Sequence, residues 1–310
     1  MVLFTGLVAA VLVTAPAEAL AGGNGGFAGA FLRMGLGARA QALGDAQVAS
    51  PRGGYGSFYN PAGLARLKQP TASLSYSSLA LDRRFYYLGL AVPLRGFAGL
   101  SAGWIYSGVG NLRAYNSIGE DTGEIDHGLH AVYFSFGLSL IGIAQQSGSL
   151  KGLPADLLAI GISVKFLRET LDDNADFSYK GTGVGVDLGI LTHPAPFLWL
   201  GYQLKDVGSQ LKSNTNNIFE RGTSLDNQFP ISQRIGAQVA TPLPGLVALY
   251  DFEWSDAGAK DHHLGAEWHG PGFDLRLGYD DNRLTAGLGF DFRALDRLNL
   301  VLDYAFVDDA

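Results

Sequence analysis

The chain has no cysteine and only two methionines among its 310 residues. The missing cysteine excludes a disulfide framework, a lipid-bearing cysteine anchor and thiolate chemistry. Charge is scarce as well, at 16% of residues against 47% hydrophobic, with 43 glycines. That mix is unusual for a soluble enzyme. The formal net charge of −7 argues against nucleic acid as a partner. Beyond its first residues the chain has no apolar run near the roughly 20 residues of a membrane helix. It has no Ser/His/Asp set, no paired carboxylates within a cleft and no dinucleotide loop in a strand–turn–helix context. No enzyme activity, cofactor or metal is therefore expected. A transmembrane β-barrel reconciles these absences, because its strands carry apolar residues only at alternate positions.

The chain opens on an apolar run, Val2 to Val13, followed by small residues at Ala15, Ala17, Ala19 and Ala21. Residues 1–21 are expected to be a signal peptide; as a membrane anchor the run is too short to span. Residues 22–68 read differently. From Phe31 to Ala65 the chain is rich in glycine and alanine and shows no sustained alternation, so it fits neither a strand nor a long helix. We expect a plug here, with residues 69–310 forming the barrel around it.

From Thr71 onward thirteen windows alternate with period 2. They are Thr71–Leu79, Arg84–Val92, Phe97–Tyr106, Leu129–Leu140, Leu157–Leu167, Thr182–Leu191, Phe197–Val207, Ile231–Ala240, Leu246–Trp254, Asp261–Trp268, Gly272–Tyr279, Leu284–Phe292 and Leu298–Phe306. The fifth is the cleanest, with Leu158, Ile160, Ile162, Val164 and Phe166 against Ala159, Gly161, Ser163 and Lys165. A soluble sandwich would carry a charge-rich second face; here that face is mostly glycine and small residues, which leave room for a plug. Tyr and Trp recur along the apolar face, as in an interfacial girdle. Short connections such as Pro93–Gly96 and Thr241–Gly245 fall at one end, and the long polar segments 107–128, 168–181 and 208–230 at the other. Segment 141–155 is the exception at the short-turn end, read as a small helix or flap. Single-chain barrels of this kind have an even strand count. The expected fold is thus an all-β, antiparallel 14-stranded transmembrane barrel with thirteen strands present and the last beyond Ala310.

The segments Phe31 to Ala40, Ala42 to Ala46 and Tyr59-Asn60-Pro61-Ala62-Gly63-Leu64 resemble the N-terminal signature of the PorV/PorQ family. Leu302-Asp303-Tyr304-Ala305-Phe306 resembles that group's penultimate strand. The group is similar in turn to FadL-type long-chain fatty acid transporters, which share the Asn-Pro-Ala of the plug. The resemblance implies an outer-membrane barrel acting in transport or secretion, with outer-membrane lipid around it and secretion-system components or hydrophobic small molecules as partners. The alternatives are a FadL-like channel for hydrophobic molecules such as fatty acids, and a structural or adhesion barrel acting through its outer loops.

Candidate site residues follow. Asn60, Pro61 and Ala62 form a rigid turn that is either a gating element of the plug or purely structural. Arg33 and Arg39 lie in the plug. Asp187, Asp251, Glu253, Asp274, Asp291 and Asp303 lie on the polar face of the wall with Arg234 and Arg276, and each lumen charge is expected to find a partner. His262, His263 and Glu267 do not make a metal site, because two residues four apart along a strand lie about 13 Å apart. The acidic run Glu120, Asp121, Glu124 and Asp126 is expected to be a solvated outer loop, and Gly181, Gly183 and Gly185 a lumen-facing stripe.

Overall fold

The computed structural model describes residues 24–94, 97–115, 118–172, 178–214, 223–295 and 298–308. The expected signal peptide lies outside them. The strands are β1 (Thr71–Ser78), β2 (Arg83–Leu94), β3 (Ala98–Tyr115), β4 (Asp121–Ser139), β5 (Leu158–Asp172), β6 (Ser178–Ala195), β7 (Leu198–Val207), β8 (Gln210–Asn214), β9 (Ser224–Gln228), β10 (Ser232–Ala240), β11 (Leu246–Ser255), β12 (Lys260–His269), β13 (Phe273–Asp280), β14 (Arg283–Leu295) and β15 (Leu298–Val307). All belong to one antiparallel sheet, and each of the thirteen alternating windows has become a wall strand. Next neighbours in the wall are next neighbours in sequence, except that β7 pairs with β10. Among the described residues nothing pairs β1 with β15, and the two run in the same direction.

The wall is inside-out relative to a soluble protein. On β5, Ile160, Ile162 and Phe166 are 39%, 42% and 50% exposed, while Ser163 and Lys165 between them are fully buried. Leu277 and Leu284 are 66% and 67% exposed, while Glu267 and Arg276 are buried. An apolar outer face of this extent is stable only against hydrocarbon. None of the described helices is long and apolar enough to cross a membrane.

The sheet curls because every wall strand reaches the N-terminal segment. Two short helices, Ala38–Ala42 and Gly56–Tyr59, and 3-10 turns at Ala30–Leu32, Gly53–Tyr55 and Pro61–Arg66 lie along its inner face. The turn at Pro61–Arg66 touches β2 through β6, and the helix Ala38–Ala42 touches β13 through β15. Val48 sits against β7 and β10, and Leu43 and Gly44 against β12 and β13. Leu32, Leu36, Leu43 and Leu64 of this inner segment are wholly buried.

Three expectations need correction. The outer segments 107–128 and 168–181 are largely strand, since β3 runs to Tyr115, β4 starts at Asp121, β5 runs to Asp172 and β6 starts at Ser178. Beyond the hydrocarbon both faces of a strand meet water, so the ladder continues without alternation. The acidic run accordingly belongs mostly to β4, where Asp121 pairs with Arg113 at 2.8 Å. Segment 208–230 holds the hairpin β8–β9. At the short-turn end, segment 141–155 carries the helix Leu140–Gln146, capped by Ser139, whose Oγ accepts from the Gly142 amide at 2.8 Å.

Candidate functional site

The inner segment touches the wall backbone to backbone, and glycine makes this contact attainable. Gly99, Gly137, Gly161 and Gly189 lie side by side across β3 to β6. A Cβ added at Gly161 would lie 2.2 Å from the Ala62 nitrogen, at Gly137 2.4 Å from the Pro61 oxygen, and at Gly99 2.2 Å from the Leu64 oxygen. Gly201 and Gly236 pair beneath Val48, and Gly265 and Gly278 pair beneath Leu43 and Gly44. The small-residue face is thus a groove fitted to the inner segment.

Asn60 fixes that segment at its centre and has no exposed surface. Its Oδ1 accepts from the Ala62 amide at 3.1 Å, capping the turn that Pro61 begins. Its Nδ2 donates to the Val48 oxygen at 2.8 Å and to the Ile190 oxygen of β6 at 3.0 Å. Asn60→Ala removes these bonds and strands buried partners, with an expected loss of about 1–3 kcal/mol in urea unfolding. Asn60→Asp keeps the cap but not the two donated bonds, and is expected to be no better than Ala. Close by, Tyr59 accepts from the Leu36 amide at 2.7 Å and donates to the Asp45 carboxylate. Burial, and next the Asp45 charge, raise the Tyr59 phenol well above its ordinary value, so it remains a donor.

Among the described residues three ionic groups line the interior. In the first, Arg39 binds both Glu267 oxygens, at 3.0 and 2.6 Å. Arg276 donates to Glu267, Asp274 and Asp303, each at 2.7 Å. In the second, Arg234 pairs with Glu253 and donates to the Asp45 oxygen at 3.0 Å. Asp251 beside it accepts the Gln47 and Val48 amides at 2.7 and 2.8 Å. The third lies within the wall, where Lys165 meets Asp187 at 2.7 Å and Asp206 at 2.6 Å. Lys165→Met leaves two carboxylates buried together, and the expected loss of about 3–5 kcal/mol is measurable as a fall in urea midpoint.

Of the residues singled out from sequence, Arg39, Asn60, Asp251 and Arg234 join the inner segment to the wall. Glu253, Asp274, Arg276 and Asp303 complete these groups, and Asp187 belongs to the third. Pro61 and Ala62 pack on the glycine row. Arg33 makes no wall ion pair among the described residues; its Nη1 donates to the Ala28 oxygen at 2.9 Å. Asp291 is exposed near the short-turn end, and no ion pair reaches it among the described residues. Sequence reasoning missed Lys165, Asp45, Asp206 and Gln47, and weighed Glu267 only as a metal ligand. Lys165 did carry a signal, being a lone charge among small residues on an otherwise regular strand. Glu267, His269 and Asp274 bring one ligand atom each within 4.8 Å. Arg39 and Arg276 already occupy Glu267, and Arg276 also holds Asp274, so guanidinium groups stand where a cation would have to sit.

Besides the unpaired edges of β1 and β15, pairing is interrupted at one further place among the described residues of the wall. β7 leaves the wall at Asp206 and Gly208, with φ of 66° and 67°. The Asp206 amide donates to Asp187 at 2.7 Å, which holds that turn. The chain then crosses the inner face of β6, where a Cβ at Gly183 would lie 1.7 Å from the Gln210 oxygen. β6 pairs with β7 as far as Val186 and with β8 only from Thr182, so residues 183–185 have no ladder partner on that side among the described residues. Outside this gap is a largely apolar notch of about 810 Å³, lined by Phe166, Leu167, Val184, Val186 and Val207 together with Arg168, Thr182, Gln210 and Lys212. Leu167 also belongs to the buried apolar cluster at the centre, with Leu32, Phe58, Tyr59 and Leu211. The notch therefore borders the apolar interior through one side chain.

No family model matches the chain, and no curated protein matches it. Solved structures do. A Pseudomonas aeruginosa FadL homologue superposes with a TM-score of 0.59 at 11% identity, over 87% of this chain and 90% of that one. The CymD monoaromatic hydrocarbon channel gives 0.56 at 15% identity over 88% and 93%. The P. putida toluene transporter TodX gives 0.56 at 15% identity over 87% and 91%. At these identities the likeness is one of fold: the chain has the fold of FadL-type barrels across nearly its whole length.

Proposed function

We propose that the chain is an outer-membrane channel for small hydrophobic molecules, with residues 22–68 as its plug and residues 69–310 as its wall. The observation that carries this reading is the apolar notch between β6 and β7. The axial route is filled by the inner segment, whereas the notch opens from the apolar outer face onto Leu167 and the apolar cluster behind it. Arg168 and Lys212 also line the notch, and the Ser209 hydroxyl, Lys165 and the Gln210 carbonyl lie inside Gly183 and Gly185, so the apolar path is the one that passes Leu167. The neighbours named for hydrocarbon and toluene transport support this alternative over secretion, for which the PorV/PorQ-like segments remain the only argument. Asn60-Pro61-Ala62 is then the turn about which the plug is fixed, and the ionic groups are its fastenings.

The test is binding by the purified chain in neutral detergent, titrated with a fluorescent fatty acid and with toluene as competitor. Saturable binding is expected, weakened at least tenfold by Leu167→Asn, which sets an amide at the junction of notch and interior. A folded barrel that binds neither ligand would sink the proposal.

A further inference from the structure

We propose that the short-turn mouth of the barrel binds an oxyanion, the carboxylate or phosphate head of an amphiphile passing through the channel. This inference rests on the channel reading for the identity of its cargo. Below the inner segment lies an open basin of about 920 Å³, with Arg52, Arg66, Lys68, Asp156, Ser139 and Gln238 on its walls. Three of these are cations and one is a carboxylate, so the basin carries an excess of positive charge facing water.

Arg66 and Lys68 are spare, and Arg52 is held only loosely. Glu267 lies 3.4 Å from Arg52, but Arg39 and Arg276 already hold both its oxygens at 2.6–3.0 Å. The Arg52 side chain is half exposed. Arg66 and Lys68 make no hydrogen bond or close ion pair among the described residues; Asp156 acts on Arg66 only through space. Arg66 is nevertheless held in place. Its guanidinium carbon lies 3.6 Å from the Trp199 ring centre, and the His193 ring stacks on Trp199 at 3.8 Å and 3°. Two groups this close to one indole occupy its opposite faces. A guanidinium stacked flat keeps its N–H edge free, and that edge matches the two oxygens of a carboxylate or phosphate. Stacking also lowers the entropy lost when a ligand is gripped. Pro51, Leu67 and Ala159 supply apolar wall beside the cations for the first carbons of a chain.

The experiment uses the full chain in neutral detergent, with tryptophan emission as the signal because Trp199 carries Arg66. Dodecanoate, dodecanol and inorganic phosphate are titrated at low and high salt into the native protein, Arg66→Gln, and the triple variant Arg52→Gln/Arg66→Gln/Lys68→Gln. Circular dichroism confirms that each variant is folded. Expected are dodecanoate binding about tenfold weaker for each arginine neutralised, loss of affinity in salt, and dodecanol binding unchanged by the variants. Competition by phosphate shows that the oxyanion is recognised alone; failure to compete shows that the head group counts only on a chain, and the variant effect carries the proposal in both cases. Dodecanoate affinity equal in native and triple-variant proteins would overturn the inference while leaving the channel reading intact. Variant-sensitive phosphate binding with no binding of either amphiphile would keep the anion site and overturn the channel reading.

Discussion

Glu267→Ala is expected to destabilise the barrel by about 3–5 kcal/mol, among the largest effects of any single substitution. Among the described residues Glu267 is the only carboxylate that Arg39 touches, and it joins the inner segment to the wall through both of its oxygens. Removing it leaves the Arg39 guanidinium buried without its anion and Arg276 with two of its three carboxylate partners. Glu267→Gln keeps an oxygen acceptor but not the charge, and belongs between the two. Urea unfolding followed by tryptophan emission reads the series. Equal midpoints for native and Glu267→Ala proteins would mean that the ionic group does not fasten the inner segment.

Gly161→Val is expected to unseat the inner segment altogether. The added Cβ would fall 2.2 Å from the Ala62 nitrogen and the Pro61 carbon. Both are backbone atoms within a buried, capped turn, so no side chain can swing aside, and the cost lies at or above the 1–3 kcal/mol of ordinary overpacking. The expected outcome is a folded wall with its interior open, giving steady ion conductance in planar bilayers where the native protein gives little. Protease access at Arg52 and Arg66 rises in parallel. Gly152→Ala is the control, because nothing lies within 4 Å of its added Cβ. A silent, protease-resistant Gly161→Val would show that the glycine row does not seat the segment.

The wall was legible in the sequence because a half-exposed strand writes its two environments at alternate positions. That signal stops where the environments stop differing. Tyr106 and Leu129 closed the readable parts of β3 and β4, although the ladder continues to Tyr115 and begins at Asp121. The hairpin β8–β9 has five-residue strands, one buried in part and one fully exposed, too short for a period to register. The small-residue face announced that something fills the lumen. Which glycines carry the contact depends on register: Gly99, Gly137, Gly161 and Gly189 come from four separate windows and form a row only once the strands are paired. The same holds for the charges. Arg33 and Arg39 look alike in sequence, yet only Arg39, on the helix Ala38–Ala42, reaches a wall carboxylate. Lys165 and Asp187 sat on the correct faces of adjacent strands, but their partnership with Asp206 required the turn by which β7 leaves the wall.

The most direct measurement is uptake of a hydrophobic fluorophore with the notch chemically blocked. The chain lacks cysteine, so a single introduced thiol is a unique handle. Val184→Cys places it in the notch, and Leu277→Cys on the apolar face away from it, at 66% exposure. Each variant is labelled with a bulky maleimide and assayed in cells whose only route for the fluorophore is this barrel. The account predicts that labelling at 184 lowers uptake at least tenfold and labelling at 277 leaves it unchanged. Equal uptake from both labelled proteins would contradict a route through the wall between β6 and β7.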